Sequence, residues 1–380
     1  MASTTLRVVV DQLVAPVPGA LGRYTLGLAG ALVRTAPPGC DVEGIVSAIG
    51  AEEQAEVERA LPGLASVYKT TLARRELAAA WQLGITTSPG AGMIHAPGLL
   101  APLRRHDASS GTQIVVTVHD TLSTSHPESL SSTELAWRRN ALRRARKHAD
   151  AIVVPTHALA ERLGEQLGVA DRIRVIPTAA RPGLRLGEDA AARAARLALP
   201  RDYLLTSGTL EPHRGVVDVL AALGRSGVPG IPLIVIGPET WGEQHLQTLA
   251  EEAGIARGLV RHIDDPEPAD LAVLLARATA FIAPAHDEGD PATLIEAFAA
   301  GVPVIHSDAP DYLETAGGAG LAVPIGVGGD GYADRLAAAV TVVVEDPARA
   351  ERLAITGGDR ARAFTWTDAA EQVWQLHADL

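Results

Sequence analysis

Cysteine occurs once in these 380 residues, at Cys40, which excludes an internal disulfide and any cysteine-built metal cluster. Aromatic residues make up only 3%, so a core must come mostly from Ala, Val, Leu and Ile within a composition 47% hydrophobic and 21% charged. No apolar run approaches the ~20 residues that span a bilayer. The opening MASTTLRVVVDQLVAPVP is too short in apolar residues for a signal peptide and reads as a first strand. The expectation is a soluble protein of the reducing cytoplasm, with any membrane contact peripheral. His-Glu-x-x-His, Asp-x-Asp and Cys/His clusters are missing, and the twelve histidines show no zinc spacing, so neither a catalytic metal nor a cofactor is expected.

A basic footprint is also lacking. Residues 1–180 carry 18 Lys and Arg against 16 Asp and Glu, and the remainder carries 15 against 29. Nucleic acid needs a cationic surface to neutralise its backbone, so it is not expected as a partner. The basic helix SSTELAWRRNALRRARKHAD, opened by a capping-box pattern from Ser131 to Glu134, has few large apolar neighbours and reads as a solvated face.

What is present is alternation. Short apolar runs at Val8–Val10, Met93–His95, Ile114–His119, Ala151–Pro155 and Arg174–Pro177 are separated by Ala/Leu-rich helical stretches. Tyr203–Ser207, Leu233–Gly237, Leu259–Ile263, Ala280–Ala283 and Val302–His306 repeat the pattern in the second half. Continuous apolar strands between helices predict an α/β protein with parallel sheets covered on both faces. At 380 residues there is room for two domains. The break is placed within Ala179–Pro200, giving domains at 1–180 and 201–357 and a terminal helical segment at 358–380.

The densest chemistry lies in HDEGDPATLIEAFAAGVPVIHSDAPDYLETAGGAGLAVP, residues 286–324. Glu288 falls in a Gly/Pro-bearing loop and Glu296, eight residues later, in the first turns of an Ala-rich helix. An apolar strand and a second acidic loop with Ser307, Asp308 and Glu314 follow. Upstream, Gly208-Thr209-Leu210-Glu211-Pro212-His213-Arg214-Gly215 ends a strand and opens a helix, where free N–H groups and a partial positive charge suit a diphosphate. Arg214 adds a cation that can fork onto phosphate oxygens.

This ordered arrangement resembles the donor segment of retaining glycosyltransferases of the GT-B fold, family 4 in particular, with a mannosyltransferase-like character. YLLTSGTLEPHRGVVDVLAAL (203–223) resembles the opening of the donor domain. PGALGRYTLGLAGAL (18–32), ADAIVVPTHALAERL (149–163) and RIRVIPTAARPG (172–183) resemble the acceptor domain, and FTWTDAAEQVW (364–374) the terminal helix. The resemblance covers nearly the whole chain. It implies two facing Rossmann-like domains, with the last helix crossing back onto the first.

It further implies that Glu296 accepts hydrogen bonds from the donor ribose, that Glu288 and Gly289 contact the transferred sugar, and that Gly208, Thr209 and Arg214 hold the phosphates. His119 and Asp120, at a strand end where ligands of parallel sheets bind, match a pair that lines the site near the donor sugar. Gly22 stands where backbone approaches donor phosphates, and Arg23, Tyr24 and His95 are acceptor-side candidates. The chain departs from the family pattern at Thr209, which replaces a cation, and at Asp290-Pro291, which replaces Phe-Gly; Pro291 also removes a backbone donor. The reaction implied is hexose transfer from a nucleotide sugar, GDP-mannose first and UDP- or dTDP-hexoses as alternatives. The acceptor is a glycan, lipid or small molecule. The departures also support a second reading, a non-catalytic relative acting as a binding or partner subunit.

Overall fold

A computed structural model describes residues 4–85, 92–107, 110–329 and 331–380. The chain divides into two compact units. One takes residues up to Ala179 together with Thr365–Leu380, and the other runs Ala180–Phe364.

The first unit holds a seven-stranded parallel sheet made of β1 (Thr4–Val9), β2 (Cys40–Val46), β3 (Ser66–Lys69), β4 (Met93–Ala96), β5 (Gln113–Thr117), β6 (Ala151–Val154) and β7 (Ile173–Val175). Their order is β3-β2-β1-β4-β5-β6-β7. Alternate side chains separate cleanly onto the two faces, as the two-residue period of a strand requires. Val115 and Val153 belong to one apolar cluster, while Ile114, Val116, Ile152 and Val154 belong to the other. The one cysteine opens β2 and is half-buried.

The second unit contains β8 (Leu204–Ser207), β9 (Leu233–Ile236), β10 (Thr240–Trp241), β11 (Gln244–His245), β12 (Val260–Ile263), β13 (Ala280–Ala283), β14 (Val304–Ser307) and β15 (Leu321–Val323). Six of these form a parallel sheet in the order β12-β9-β8-β13-β14-β15, and β10 and β11 make a small antiparallel hairpin. Two apolar clusters again cover the two faces, Leu204 and Ile282 in one and Leu205 and Phe281 in the other.

Two boundaries differ from expectation. The break falls at the head of the expected range, after Ala179, so the second unit begins at Ala180 rather than 201, and Arg193 and Arg196 of the helix Ala190–Arg196 tie this segment to it by gripping the buried carboxylate of Asp270 at 2.9 and 2.6 Å. The return to the first unit comes at Thr365, after the helix Pro347–Ala361 has packed on the helix Ala292–Ala299 of its own unit. The last helix, Trp366–Asp379, packs on the helix Gly19–Arg34, and Trp374 Nε1 donates to the Leu32 carbonyl at 3.3 Å. Gly27 makes this contact sterically feasible, since a Cβ there would sit 2.3 Å from the Trp366 ring. The capping box at Ser131 is half formed: its hydroxyl accepts from the Glu134 N–H, while the Glu134 carboxylate turns to Arg138 at 3.0 Å.

Candidate functional site

In the second unit β8 runs into Gly208 and a single 3-10 turn, Pro212–Arg214. Gly215 then turns the chain into the helix Val216–Leu223. Gly215 has φ +69, and a Cβ there would lie 2.3 Å from the Pro284 carbonyl oxygen, so the turn admits no side chain. The turn delivers Arg214 onto Glu288: Nη1 donates to the carboxylate at 2.8 Å, and the Tyr312 hydroxyl donates to the same oxygen at 3.1 Å. Two residues 74 apart in sequence thus form one ion pair.

The electrostatics follow from this geometry. Burial pushes the Glu288 carboxyl above its ordinary value, with Arg214 and Tyr312 pulling the other way. Glu288 holds the Arg214 guanidinium above its already high value, and burial followed by the neighbouring carboxylate pushes the Tyr312 phenol well up. Arg214 stays cationic under all ordinary conditions and is 28% exposed, so it can still reach a ligand. The Thr209 hydroxyl turns away to Glu211 at 2.8 Å.

Glu296 is the fifth residue of the helix Ala292–Ala299 and is buried. Sequence reasoning missed its partner, Arg181, 115 residues away: Nε and Nη2 reach the two carboxylate oxygens at 2.7 and 3.0 Å, and the Arg181 N–H adds a bond at 3.3 Å. Such a two-point fork fixes the carboxylate plane. Gly289 is likewise held from a residue that gave no signal in the sequence, the buried Asp311, whose carboxylate accepts the Gly289 N–H at 3.4 Å. Asp290 is half-buried in the same loop. Glu314 lies in the helix Pro310–Ala316 rather than in a loop.

In the first unit, His119 and Asp120 follow β5, as the sequence suggests. His119 Nε2 lies 2.8 Å from the Pro97 carbonyl, and its ring meets Tyr24 edge-on at 4.5 Å. Asp120 is engaged by Arg138, at 2.9 Å to both oxygens, and accepts the Leu122 N–H at 3.0 Å. The remaining candidates lie in this unit too. Tyr24 is buried, with its ring edge-on to both His119 and Trp366. Gly22 and Arg23 lie inside the helix Gly19–Arg34; a Cβ at Gly22 would strike Pro18 at 2.5 Å, so its small size serves that internal contact. His95 is fully buried, 5.7 Å from the ring of His377, and its two ring nitrogens find no hydrogen-bond partner among the described residues. β4 places it inside the sheet rather than on the rim.

Among the described residues no three His, Cys, Asp or Glu side chains come together as a metal group, and no helix is long and apolar enough to cross a membrane.

Comparisons with known proteins agree with the two-unit arrangement. Residues 21–182 match the family described as Glycosyltransferase Family 4, and residues 189–359 match Glycosyl transferases group 1. The O-antigen chain mannosyltransferase B of Escherichia coli is 30% identical over 173 residues, covering 45% of this chain and 44% of the relative. The D-inositol 3-phosphate glycosyltransferase of Thermomonospora curvata is 34% identical over 257 residues, covering 60% and 57%. The chain thus spans about half the length of the curated relatives it matches. Among solved structures, Anabaena HepE in complex with UDP-glucose superposes with a TM-score of 0.71 at 18% identity, over 99% of this chain and 100% of that one. The sucrose-phosphate synthase of Thermosynechococcus elongatus does so with 0.69 at 21%, over 99% and 98%. With both halves matched in chain order by the two family descriptions, the chain belongs to the GT-B glycosyltransferases of the family 4 type.

Proposed function

We propose that the protein transfers a hexose from a nucleotide sugar to an acceptor, with retention at the anomeric carbon and without a metal. The observation that carries this reading is the assembly of Arg214, Glu288 and Tyr312 beside the Gly208–Gly215 turn, with Glu296 held nearby in sequence on the helix that follows. Arg214 keeps its Nη2 group unbonded among the described residues, so it can carry the diphosphate charge while Nη1 stays on Glu288. A cation held against the phosphate oxygens in this way stabilises the leaving group as negative charge builds on it. Glu288 offers its other oxygen to sugar hydroxyls, and Tyr312 keeps the carboxylate oriented.

Glu296 is the proposed ribose acceptor. The Arg181 fork keeps it aimed, and each oxygen retains lone pairs for further donors. GDP-mannose is the first donor to try, because one relative is a mannosyltransferase; UDP-glucose follows, because one solved relative holds it. The second reading, a binding subunit without turnover, draws on Thr209, whose hydroxyl is turned onto Glu211 and away from any phosphate role.

Thermal unfolding with GDP-, UDP- and dTDP-sugars tests the proposal. A true donor at ~100 times its dissociation constant adds about 2.7 kcal/mol. Protection by none of them would remove the donor site; protection without transfer to any acceptor would favour the binding subunit.

A further inference from the structure

The first unit contains a cavity of about 400 Å³ that the donor reading does not use. It opens past the C-terminal ends of β1 and β4. Leu21, Ala78, Pro97, Leu99, Leu100 and Trp137 are among the residues that line it, and the exposed lining is mostly apolar. The volume falls in the range of pockets that enclose small ligands.

The polar side chains on its wall are largely occupied with one another. Gln12 Nε2 donates to the Pro18 carbonyl at 3.0 Å, and its Oε1 accepts from Arg74 Nη2 at 2.5 Å. Arg74 Nη1 is paired with the buried Asp11 carboxylate. The Thr25 hydroxyl donates to the Leu21 carbonyl at 2.7 Å. One lining charge has no such employment. Arg75 is exposed and makes no hydrogen bond or ion pair among the described residues. Beside the lining residue Pro16, Val17 is 78% exposed, which extends the apolar surface outward.

A hydroxyl-rich ligand would bring donors and acceptors to walls that cannot answer them. An apolar body gains by leaving water there, and an anion at the edge meets the uncommitted guanidinium. We propose that this cavity holds the apolar body of an amphiphilic acceptor whose anionic group, a phosphate or carboxylate, pairs with Arg75. The assignment of this ligand as the acceptor rests on the transferase reading; its binding does not.

The test uses the full chain and monomeric dodecyl phosphate, titrated by calorimetry, with dodecyl maltoside, glucose and inorganic phosphate as separate controls. Dodecyl phosphate binds tightest; Arg75→Gln weakens it about tenfold, the loss of one charge-assisted contact. Ala78→Phe, which fills the cavity, abolishes binding. Both variants keep the heat protection given by the nucleotide, which shows that they are folded. Phosphatidylcholine vesicles with and without phosphatidic acid form a second arm. Capture that Ala78→Phe abolishes supports the proposal in either arm, the first indicating a free amphiphile and the second a membrane-held one. The proposal is overturned if dodecyl phosphate fails to bind, binds Ala78→Phe equally well, or is outbound by glucose. If nucleotide protection persists in those cases, the transferase reading survives without this acceptor; if nucleotide protection is missing while dodecyl phosphate binds, the donor site fails instead.

Discussion

The two units share a parallel sheet wrapped by helices, yet they set different buried polar groups beside their surfaces. The first packs two buried rings, His95 and His377, against each other and sets one half-buried ion pair, Arg74 with Asp11, beside a largely apolar cavity. The second buries charge in pairs, Arg181 with Glu296 and Arg214 with Glu288. A buried ring that must stay neutral serves packing, whereas a buried ion pair keeps full charges at fixed positions near a low-dielectric surface, where they act strongly on a third charge. The same architecture thus offers apolar contact in one unit and electrostatic contact in the other, the division that an amphiphile and a nucleotide diphosphate would need.

The largest effect expected is on the most deeply buried pair. Arg181→Ala removes the guanidinium from the Glu296 carboxylate, with side chains only 8% and 5% exposed in the intact pair. The second unit should lose roughly 3–5 kcal/mol of stability in urea unfolding. Replacing both residues, Arg181→Met with Glu296→Leu, should restore most of it and still abolish nucleotide binding. A cost below ~1 kcal/mol for the single change would break the contrast between the units.

Acid should act through the first unit. Burial pushes His377 down to about 4, and burial together with His377 holds His95 well below its ordinary value. The unfolded chain therefore takes up the protons first. The stability contribution is complete above about pH 6.5 and is lost as pH falls towards about 4. For His377 this corresponds to roughly 3 kcal/mol. Trp81, Trp137, Trp366 and Trp374 lie in the first unit and only Trp241 in the second, so tryptophan fluorescence during denaturation reports mainly the first. His377→Phe should flatten its pH dependence. In the second unit the buried His306, also lowered, has the same sign, and Glu288, raised by burial, opposes it.

Arg214→Gln should weaken nucleotide binding by one to two decades, about 1.5–3 kcal/mol, whereas Thr209→Arg should leave it unchanged or tighten it. Isothermal titration of both variants decides whether the second unit's charge is used on phosphate; equal affinities would remove that role. The smallest effect is expected at the half-buried Cys40. Cys40→Ser should shift stability by less than ~1 kcal/mol and leave any transfer intact in a side-by-side assay.

Ten of the strands were legible as apolar runs, because a strand buried on both faces needs no partner to be recognised. β2 was not. Its sequence CDVEGIV places Glu43 and Gly44 in mid-strand, and only the neighbouring β1 explains them, with Arg7 opposite Glu43 in register and bonded to it at 2.7 Å. β3 and β15 are short and only partly buried, and so carry little pattern. The candidate site divides the same way. Glu288, Glu296 and Arg214 stand out because strand, glycine and helix follow one another locally. Arg181, Asp311 and Tyr312 gave no signal, since their roles arise from contacts across tens of residues or more. His95 misled for a related reason: a histidine at the end of an apolar run reads the same whether the sheet exposes or encloses it.

The placement of the helix Trp366–Asp379 has a consequence for synthesis. The second unit is spliced into the first, entering after Ala179 and leaving before Thr365. A chain emerging from the ribosome can complete the second unit while the first still lacks the cover over Leu28 and Leu32 that Ala370, Val373 and Trp374 provide. The first unit thus closes only after the second has been made, and until the residues of Trp366–Asp379 have emerged its helix Gly19–Arg34 presents an apolar face with nothing from that later helix to close it.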